Sequence, residues 1–294
     1  MLKELSYCLI VNKFSNSGKS IDVITKHINE IDKILKNVEI YELGENESIS
    51  EITSQKAILF DVIVACGGDG TARKVAIGLK NQNTVFGVLP LGSGNDFAKM
   101  LNLSTSFEEN LAILKSAKTC SLDLGIVNKI FFINTLGIGF DGFTNYLASK
   151  SKISGSFKYV FAGFQALVKA KPFNATITTD KKVEFFRTLM IIVANGKWEG
   201  GNYFVSPSSV NNDGLLELIV LKDINRLRLA IEFIKLSFGY QLSSKLVTSL
   251  NTKEAKISTS SSVFVHADGE VEKCETSFSV GISPQSLNVI VGTL

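Results

Sequence analysis

The chain has 294 residues, of which 45% are hydrophobic and 20% charged. This composition is typical of a globular protein with room for two domains, and it excludes a disordered chain. The net charge of +3 is too small to indicate nucleic-acid binding, and we expect no nucleic-acid partner.

The apolar runs at residues 130–133 and 188–194 have the length of strands. A membrane-spanning helix needs roughly 20 apolar residues, so we expect no membrane span. The N-terminal sequence MLKELSYCLIVNK contains no small-residue cleavage site, so we also expect no signal peptide and a cytoplasmic location.

The first part of the chain alternates strand and helix patterns. Strand-like runs occupy residues 7–11, 38–43, 61–66 and 84–89, with helical patterns in the gaps. After about residue 125, short β-rich segments dominate. We therefore predict an α/β N-terminal domain (residues 1–124) with a parallel sheet flanked by helices, and a β-rich C-terminal domain (residues 125–294) built as an antiparallel sandwich.

Two helical patterns interrupt the β-rich part, at residues 156–170 and 225–239. Each carries an apolar stripe, which we interpret as a face packed on the core rather than a membrane contact. Residues 145–187 also contain eight Lys or Arg against two acidic residues. On charge alone, this basic strip indicates a solvated face more than a contact with an anionic membrane.

The stretch VNKFSNSGKS (residues 11–20) ends like a P-loop. The P-loop motif requires a glycine five residues before Gly18, and Lys13 stands there instead. The stretch still follows a strand-like run and is rich in small residues, which let a backbone approach phosphate oxygens. We interpret it as a phosphate-binding loop of another design.

Two further loops have the pattern of phosphate cradles. CGGDGT (residues 66–71) and LPLGSGNDFA (residues 89–98) each end a predicted strand and open a predicted helix. Glycines expose the backbone, and a helix N-terminus directs unpaired N–H groups and a partial positive charge at an anion. Because all three loops follow parallel strands, we expect them at the same carboxyl edge of the sheet.

Four acidic residues lie in these motifs or in two further short segments. Asp69 in the first cradle would repel phosphate unless a cation such as Mg²⁺ lies between them, and the alternative is a helix cap. Capping is the favoured interpretation for Asp96. In HADGE (residues 266–270), Asp-Gly is an ordinary hairpin-turn pattern, and Asp123 in SLDLG is unremarkable by itself.

GGDGT followed at residue 89 by LPLGSGNDFA resembles the catalytic domain of the diacylglycerol and sphingosine lipid kinase family. The fold of that family is shared with NAD kinase and phosphofructokinase. Other segments match in the family's order: DLGIVN, NTLGIGFDG, GSFKYVFAGFQALVKAKP, ANGKWEGG, NDGLLEL and HADGE. The chain is most similar to the soluble bacterial members.

The resemblance implies an enzyme that uses ATP and Mg²⁺ to phosphorylate a hydroxyl of diacylglycerol or a similar lipid. It implies a nucleotide site lined by Asn12, Ser17, Gly67, Gly68, Gly70, Thr71, Gly92, Ser93 and Asn95. It also implies Mg²⁺ at Asp69, and it makes Asp123 and Glu270, brought to a cleft between the domains, candidates for deprotonating the lipid hydroxyl, with Asp268 beside them. The lipid would be reached by transient contact with the inner face of the membrane, and a homodimer is compatible with the resemblance.

The sequence departs from the family pattern at several positions. Asn12 is followed by Lys13 where the family has proline, and Ser93 stands where threonine is commoner. Arg73 and Lys74 replace an Asn-Glu pair, which reverses the charge close to the nucleotide. Some members bind a second Mg²⁺ through a turn that contains Asp213 here, but Val210 occupies the place of their other carboxylate.

Two alternative functions were considered. A kinase acting on NAD would share GGDGT, but the loop GSGND argues against it. A nucleotide- or lipid-binding homologue without activity is conceivable because of Arg73 and Lys74. The presence of Asp69, Asp123 and Glu270 argues against that alternative, since a binding protein needs none of them.

Overall fold

The fold is that of a computed structural model, which describes residues 4–151, 153, 157–201 and 203–293. The chain divides into two compact units. The first unit comprises Met1–Leu122 and Gln285–Leu294, and the second comprises Asp123–Pro284.

The division differs from the predicted second domain of residues 125–294 at its C-terminal end. The final residues belong to the first unit because their backbone is hydrogen-bonded there. The N–H of Val291 donates to the carbonyl of Lys118, and that of Gly292 to the carbonyl of Leu101, both at 2.9 Å. The sequence pattern marks strands but not the partner that each strand will find.

The first unit alternates strands and helices. Its elements are β1 (Tyr7–Val11), a 3₁₀ turn (Ser15–Gly18), α1 (Lys19–Lys26), α2 (Ile28–Ile34), β2 (Val38–Glu42), α3 (Ile49–Lys56), β3 (Val62–Gly67), α4 (Asp69–Leu79), β4 (Val85–Pro90), α5 (Asp96–Met100) and α6 (Phe107–Ser116). The strand β1 pairs in parallel with β2 and β3, and β3 pairs in parallel with β4. β1 and β3 are buried along their whole length, which explains their continuous apolar sequences YCLIV and VIVACG.

Two helices of this unit begin after a serine whose hydroxyl caps the helix N-terminus. The side chain of Ser48 accepts from the N–H of Glu51 at the start of α3, and Ser106 accepts from the N–H of Glu109 at the start of α6. Serine followed three residues later by glutamate is the sequence pattern of a capping box. Local sequence therefore fixes where these helices begin.

The second unit is dominated by antiparallel strands. Its elements are β5 (Thr119–Val127), which begins in the first unit, β6 (Ile130–Phe132), β7 (Thr135–Gly139), α7 (Phe140–Lys150), α8 (Phe157–Lys169), β8 (Phe173–Thr179), β9 (Val183–Ala194), β10 (Trp198–Glu199), β11 (Tyr203–Phe204), β12 (Leu216–Lys222), α9 (Arg226–Ser237), β13 (Val247–Thr252), β14 (Glu254–Ala267) and β15 (Glu270–Ile290), which ends in the first unit. The order β13-β12-β9-β7-β14-β15 runs across the sheet, and β8 pairs with β9 and β14. All pairs from β13 to β15 along this path are antiparallel.

The apolar stripes of α8 and α9, predicted to face the core, are largely exposed. On α8 only Leu167 of the predicted stripe is buried among the described side chains, and the side chain of Phe157 lies outside them. The exposed residues form what we call the α8/α9 apolar face: Val160, Phe161, Phe164, Val168, Leu227, Ile231, Ile234 and Phe238. The prediction failed because helical periodicity shows that a face is apolar and not what covers it.

No helix in the described part of the chain is both long and apolar enough to cross a lipid bilayer.

Candidate active site

The loops after β1 and β3 are joined by a side-chain hydrogen bond. Asn12, the first residue after β1, donates from Nδ2 to Oγ1 of Thr71 at 3.0 Å. Its backbone N–H donates to the carbonyl of Cys66 at 3.2 Å. Asn12 therefore holds the first loop against the GGDGT loop, as expected for loops that leave one edge of a sheet.

The two glycine-rich loops also lie against each other. A Cβ atom added to Gly92 would lie 2.4 Å from the Cα of Gly68, a distance that side chains do not tolerate. Asn95, in the left-handed conformation at φ 53°, accepts from the N–H of Gly92 and donates to its carbonyl, both at 2.9 Å. These glycines are thus required by the close approach of two backbones.

Asp69 begins α4 and contacts the next loop. Its Oδ1 accepts from the N–H of Phe97 in the first turn of α5, at 3.0 Å. The carboxylate therefore lies between the N-termini of two helices. Asp96, the residue before Phe97, is buried and forms an ion pair with Lys99 at 3.3 Å.

The remaining predicted nucleotide-site residues fall on the same loops. Gly67 ends β3, where a Cβ would lie 2.5 Å from Oγ1 of Thr71, and Gly70 lies in the first turn of α4. Ser93 is exposed, and the side chain of Ser17 lies outside the described residues. Arg73, which departs from the family pattern, is buried in α4 at 5% exposure.

Asp123, at the start of the second unit, is 2% exposed and fixed by its surroundings. Its Oδ2 accepts from the N–H of Gly214 at 2.8 Å, and its backbone N–H donates to Asn211 at 2.8 Å. Asp213, on the same turn as Gly214, is exposed, and its carboxylate accepts from the N–H of Leu215 at 2.9 Å. The Asp123 carboxylate and the Asp-Gly turn are therefore neighbours.

Asp268 accepts backbone hydrogen bonds from the segment leading into β7, and its catalytic role stays a prediction. Its carboxylate accepts from the N–H groups of Ile133 and Asn134 at 2.8 Å and of Thr135 at 3.1 Å. Its own N–H donates to the carbonyl of Thr135 at 2.9 Å. Three amide donors make this carboxylate an anchor for the turn.

The Asp268-Gly269 pair forms a two-residue hairpin turn, with φ values of 47° and 80°. Positive φ at both central residues is the geometry in which Asp-Gly is favoured. Glu270, directly after the turn, begins β15, pairs with Ala267 and is half-buried. The turn thus sets the position of Glu270.

Asn195, which no sequence pattern singled out, connects the Asp123 strand to this turn. Asn195 is 1% exposed, and its Nδ2 donates to the carbonyls of Asp123 at 3.0 Å and Ile133 at 2.9 Å. Ile133 in turn donates to Asp268. The sequence signal for Asn195 is its position in ANGKWEGG, one of the segments that carry the family resemblance.

A second missed feature is a buried cluster of three titratable side chains. Nε2 of His266 lies 2.7 Å from Asp141 Oδ2 and 2.9 Å from Glu199 Oε1. Burial, followed by repulsion from Asp141, raises the pKa of Glu199 to about 7. These three residues are far apart in sequence, so no local motif predicted the cluster.

Neither Asp69 nor Asp213 belongs to a ready-made metal cluster. Within the described residues, groups of three or more potential metal ligands occur at Asp141, Glu199 and His266 and at His27, Glu30 and Glu108. Mg²⁺ in proteins commonly keeps several waters and binds through one or two carboxylates together with phosphate oxygens.

Residues 6–127 match the family model of the diacylglycerol kinase catalytic domain, and residues 134–291 match that of the YegS C-terminal NAD kinase beta sandwich-like domain. The chain belongs to the diacylglycerol kinase-like lipid kinase family. This assignment confirms the resemblance and the two-domain plan with a β-sandwich-like second domain. Membership implies a kinase that uses a nucleotide phosphate donor.

Individual relatives support the assignment to this family. A diacylglycerol kinase of Bacillus subtilis is 30% identical over 225 residues, covering 72% of this chain and 71% of the relative. A diacylglycerol kinase of Staphylococcus haemolyticus is 27% identical over 232 residues, covering 77% and 70%. The crystal structure of a diacylglycerol kinase from Bacillus anthracis has the same fold, with a TM-score of 0.77, 20% identity and coverage of 99% and 98%.

Proposed function

We propose that the protein transfers the γ-phosphate of ATP, with Mg²⁺, to a hydroxyl of diacylglycerol or a similar lipid. The observation that carries this proposal is the meeting of three loops around Asp69. Asn12 joins the first loop to the second, Gly68 touches Gly92, and Asp69 accepts from Phe97 of the third loop.

These loops suit a nucleotide triphosphate. Gly68 and Gly92 place no side chain over their own backbone, and α4 directs its N-terminus to the same loop. Asp69 offers the oxygen ligand that Mg²⁺ prefers. When bound, the ion supplies charge neutralisation of the transferring phosphoryl group.

Glu270 is the residue we propose to take the proton of the lipid hydroxyl. It is half-buried and follows a turn that is fixed by hydrogen bonds, so it combines access with a defined position. Asp123 is almost fully buried and accepts from Gly214, which suits an orienting role. We retain Asp213 as a proposed ligand of a second Mg²⁺, since it is exposed on the turn that holds Asp123.

Buried oxygens near Asp123 and Asp268 suit a polar acceptor group. Asn134 Oδ1, Thr135 Oγ1 and Asn195 Oδ1 have no hydrogen-bond partner within the described chain. Buried polar atoms are nearly always hydrogen-bonded, so a water or a substrate hydroxyl would complete them. These residues adjoin both Asp268 and Asp123 through the contacts given above.

The α8/α9 apolar face is the surface we propose for transient contact with the inner face of the membrane. Phe164 of α8 and Phe233 of α9 pack edge to face with ring centroids 6.3 Å apart, so the two helices are neighbours. Lysines and arginines lie on these two helices or directly beside them in sequence, and we call them the basic border: Lys158, Lys169, Lys171, Arg226, Arg228 and Lys235. Arg228 and Lys235 form ion pairs with Glu232, at 3.5 Å and 3.1 Å. Apolar side chains within a basic border match an anionic lipid surface.

The test of the function is transfer of labelled γ-phosphate from ATP with Mg²⁺ to a bacterial lipid extract. Wild type is compared with Asp69→Ala and with Asp180→Ala, a matched control at an exposed turn. We expect one labelled lipid from wild type and the control, and none from folded Asp69→Ala. Label in NADP instead, when NAD is supplied, would move the protein to the NAD kinase alternative.

A further inference from the structure

We propose that His266 is a positioning residue for Glu270, holding the turn before it through a hydrogen bond to Gly269. The inference rests on the proposed role of Glu270 in the transfer. His266 lies in β14, Gly269 lies in the turn, and Glu270 begins β15, so one hairpin carries all three.

The imidazole of His266 is fully buried and held from two directions. Nε2 contacts Oδ2 of Asp141, in the first turn of α7, and Oε1 of Glu199, in β10. A hydrogen-bonded carboxylate fixes both the orientation and the tautomer of an imidazole ring. The ring therefore cannot rotate without breaking contacts to two other elements.

The opposite ring nitrogen faces the turn. The N–H of Gly269 donates to Nδ1 of His266 at 3.1 Å. Burial lowers the pKa of His266, but the Asp141 and Glu199 carboxylates outweigh it and raise that pKa well above its ordinary value, which favours protonation of the ring. The Gly269 N–H directed at Nδ1 opposes a second proton there, and on this geometry we assign the hydrogen to Nε2. The carboxylates are thus coupled to the turn through a single ring in one tautomer.

The spacing in this cluster is that of hydrogen bonds rather than of a metal site. Ligands of a tetrahedral ion at about 2.0–2.2 Å are separated by roughly 3.3 Å or more. Here the imidazole nitrogen lies 2.7 Å and 2.9 Å from the two carboxylate oxygens. The cluster is also tightly enclosed, since a Cβ on Gly137 would lie 2.1 Å from Asp141 Oδ2 and 2.3 Å from His266 Nε2.

The turn is therefore fixed at both of its residues. Asp268 is held by three backbone amides of residues 133–135, and Gly269 is held by His266. Loss of the Nδ1 acceptor would free one side of the turn next to Glu270. Small displacements of a catalytic group lower the rate of the chemical step more than they lower substrate affinity.

Two substitutions separate the ring's contacts. In His266→Asn the side-chain oxygen takes the place of Nδ1 and can still accept from Gly269. In His266→Gln the amide nitrogen takes the place of Nε2 and keeps the contact to the carboxylates, but nothing accepts from Gly269. Both variants remove the imidazole from a buried site, so each serves as the packing control for the other.

We expect the Asn variant to keep kcat within about threefold of wild type and the Gln variant to lose about tenfold or more, with the KM for ATP unchanged in both. Equal values of kcat for the two variants, or a loss confined to KM, would overturn the inference. A wild type that labels no lipid would instead overturn the proposed function, and with it the role of Glu270.

A measurement on wild type covers the case in which a variant does not fold. The ¹⁵N NMR signals of the His266 ring report which nitrogen carries the proton. We expect an unprotonated Nδ1 that shows hydrogen-bond coupling to the Gly269 amide at neutral pH. A ring protonated at both nitrogens would contradict the proposed contact.

Discussion

The backbone N–H of Phe97 donates to Oδ1 of Asp69 at 3.0 Å, so a single carboxylate ties the start of α4 to the first turn of α5. The same carboxylate is the proposed Mg²⁺ ligand. Asp69 thus has a structural role that is visible in the fold and a chemical role that is proposed, and a substitution can separate the two.

The substitution Asp69→Asn should lower the rate of phosphate transfer and keep the fold. The amide oxygen can still accept from Phe97, while the charge that attracts Mg²⁺ is lost. We expect a melting temperature close to that of wild type and a loss of at least about 100-fold in kcat, the size typical for removal of one charge-stabilising group. Thermal unfolding and phosphate transfer, measured on the same preparation, check this. Full activity in Asp69→Asn would exclude Asp69 as a metal ligand.

Asp268→Ala and Glu270→Gln should have opposite effects. Asp268 accepts from three backbone amides, so its removal should lower the free energy of unfolding by about 3 kcal/mol. Glu270→Gln should leave stability unchanged and lower kcat by about 100-fold or more, because general-base catalysis contributes that much. Urea unfolding and single-turnover kinetics distinguish the two. A stable but inactive Asp268→Ala would support the catalytic role of Asp268.

Gly92→Ala should separate the two glycine loops. The new Cβ would meet the backbone of Gly68 at 2.4 Å, and backbone cannot move aside as a flexible side chain can. We expect a loss of about 1–3 kcal/mol in stability, typical of overpacking, together with a raised KM for ATP. Gly281→Ala is the control, since nothing lies within 4 Å of its added Cβ. Unchanged ATP affinity in Gly92→Ala would remove these loops from the nucleotide site.

The sequence predicted the nucleotide-loop contacts better than the second unit. Asn12, Gly68 and Asp69 follow parallel strands, and the geometry of a parallel sheet brings such loops to one edge whatever the rest of the chain does. The observed bonds from Asn12 to Thr71 and from Phe97 to Asp69 join these three loops.

The second unit depends on contacts between distant residues, which local patterns do not encode. His266 meets Asp141 across 125 positions, and Asn195 meets Asp123 across 72. The backbone contacts of Asp268 were not predicted either, because a carboxylate in an Asp-Gly turn looks the same in sequence whether it faces substrate or backbone amides. Only the pairing of β7 with β14 reveals which it faces.

The buried cluster should make stability depend on pH. The pKa of Glu199 is raised to about 7 in the folded protein, chiefly by burial and then by Asp141, from an ordinary value near 4.5. The folded state therefore binds more protons than the unfolded state between these values, and stability falls as pH rises through that window. Urea unfolding of wild type and Glu199→Gln at pH 5 and pH 7.5 should show a smaller pH dependence in the variant. An equal dependence in both proteins would contradict the shift.

The α8/α9 apolar face should be needed for binding to lipid vesicles and not for catalysis. Val168 and Phe238 are 79% and 77% exposed, and Phe185, on β9, is 79% exposed outside this face. We therefore compare a double variant, which carries both Val168→Glu and Phe238→Glu, with the control variant Phe185→Glu. Each apolar side chain that enters the lipid interface contributes about 1.5–3 kcal/mol, so the double variant should bind anionic vesicles at least about tenfold more weakly.

Three results, taken together, would support docking of this face to lipid. Binding of wild type should rise with the fraction of anionic lipid and fall with salt, because the basic border is screened. The double variant should still phosphorylate a short-chain diacylglycerol in free solution at the wild-type rate. The control should behave as wild type in both assays. If the face instead joins two copies of the chain, wild type will be a dimer by sedimentation, the double variant will be a monomer, and neither will bind vesicles.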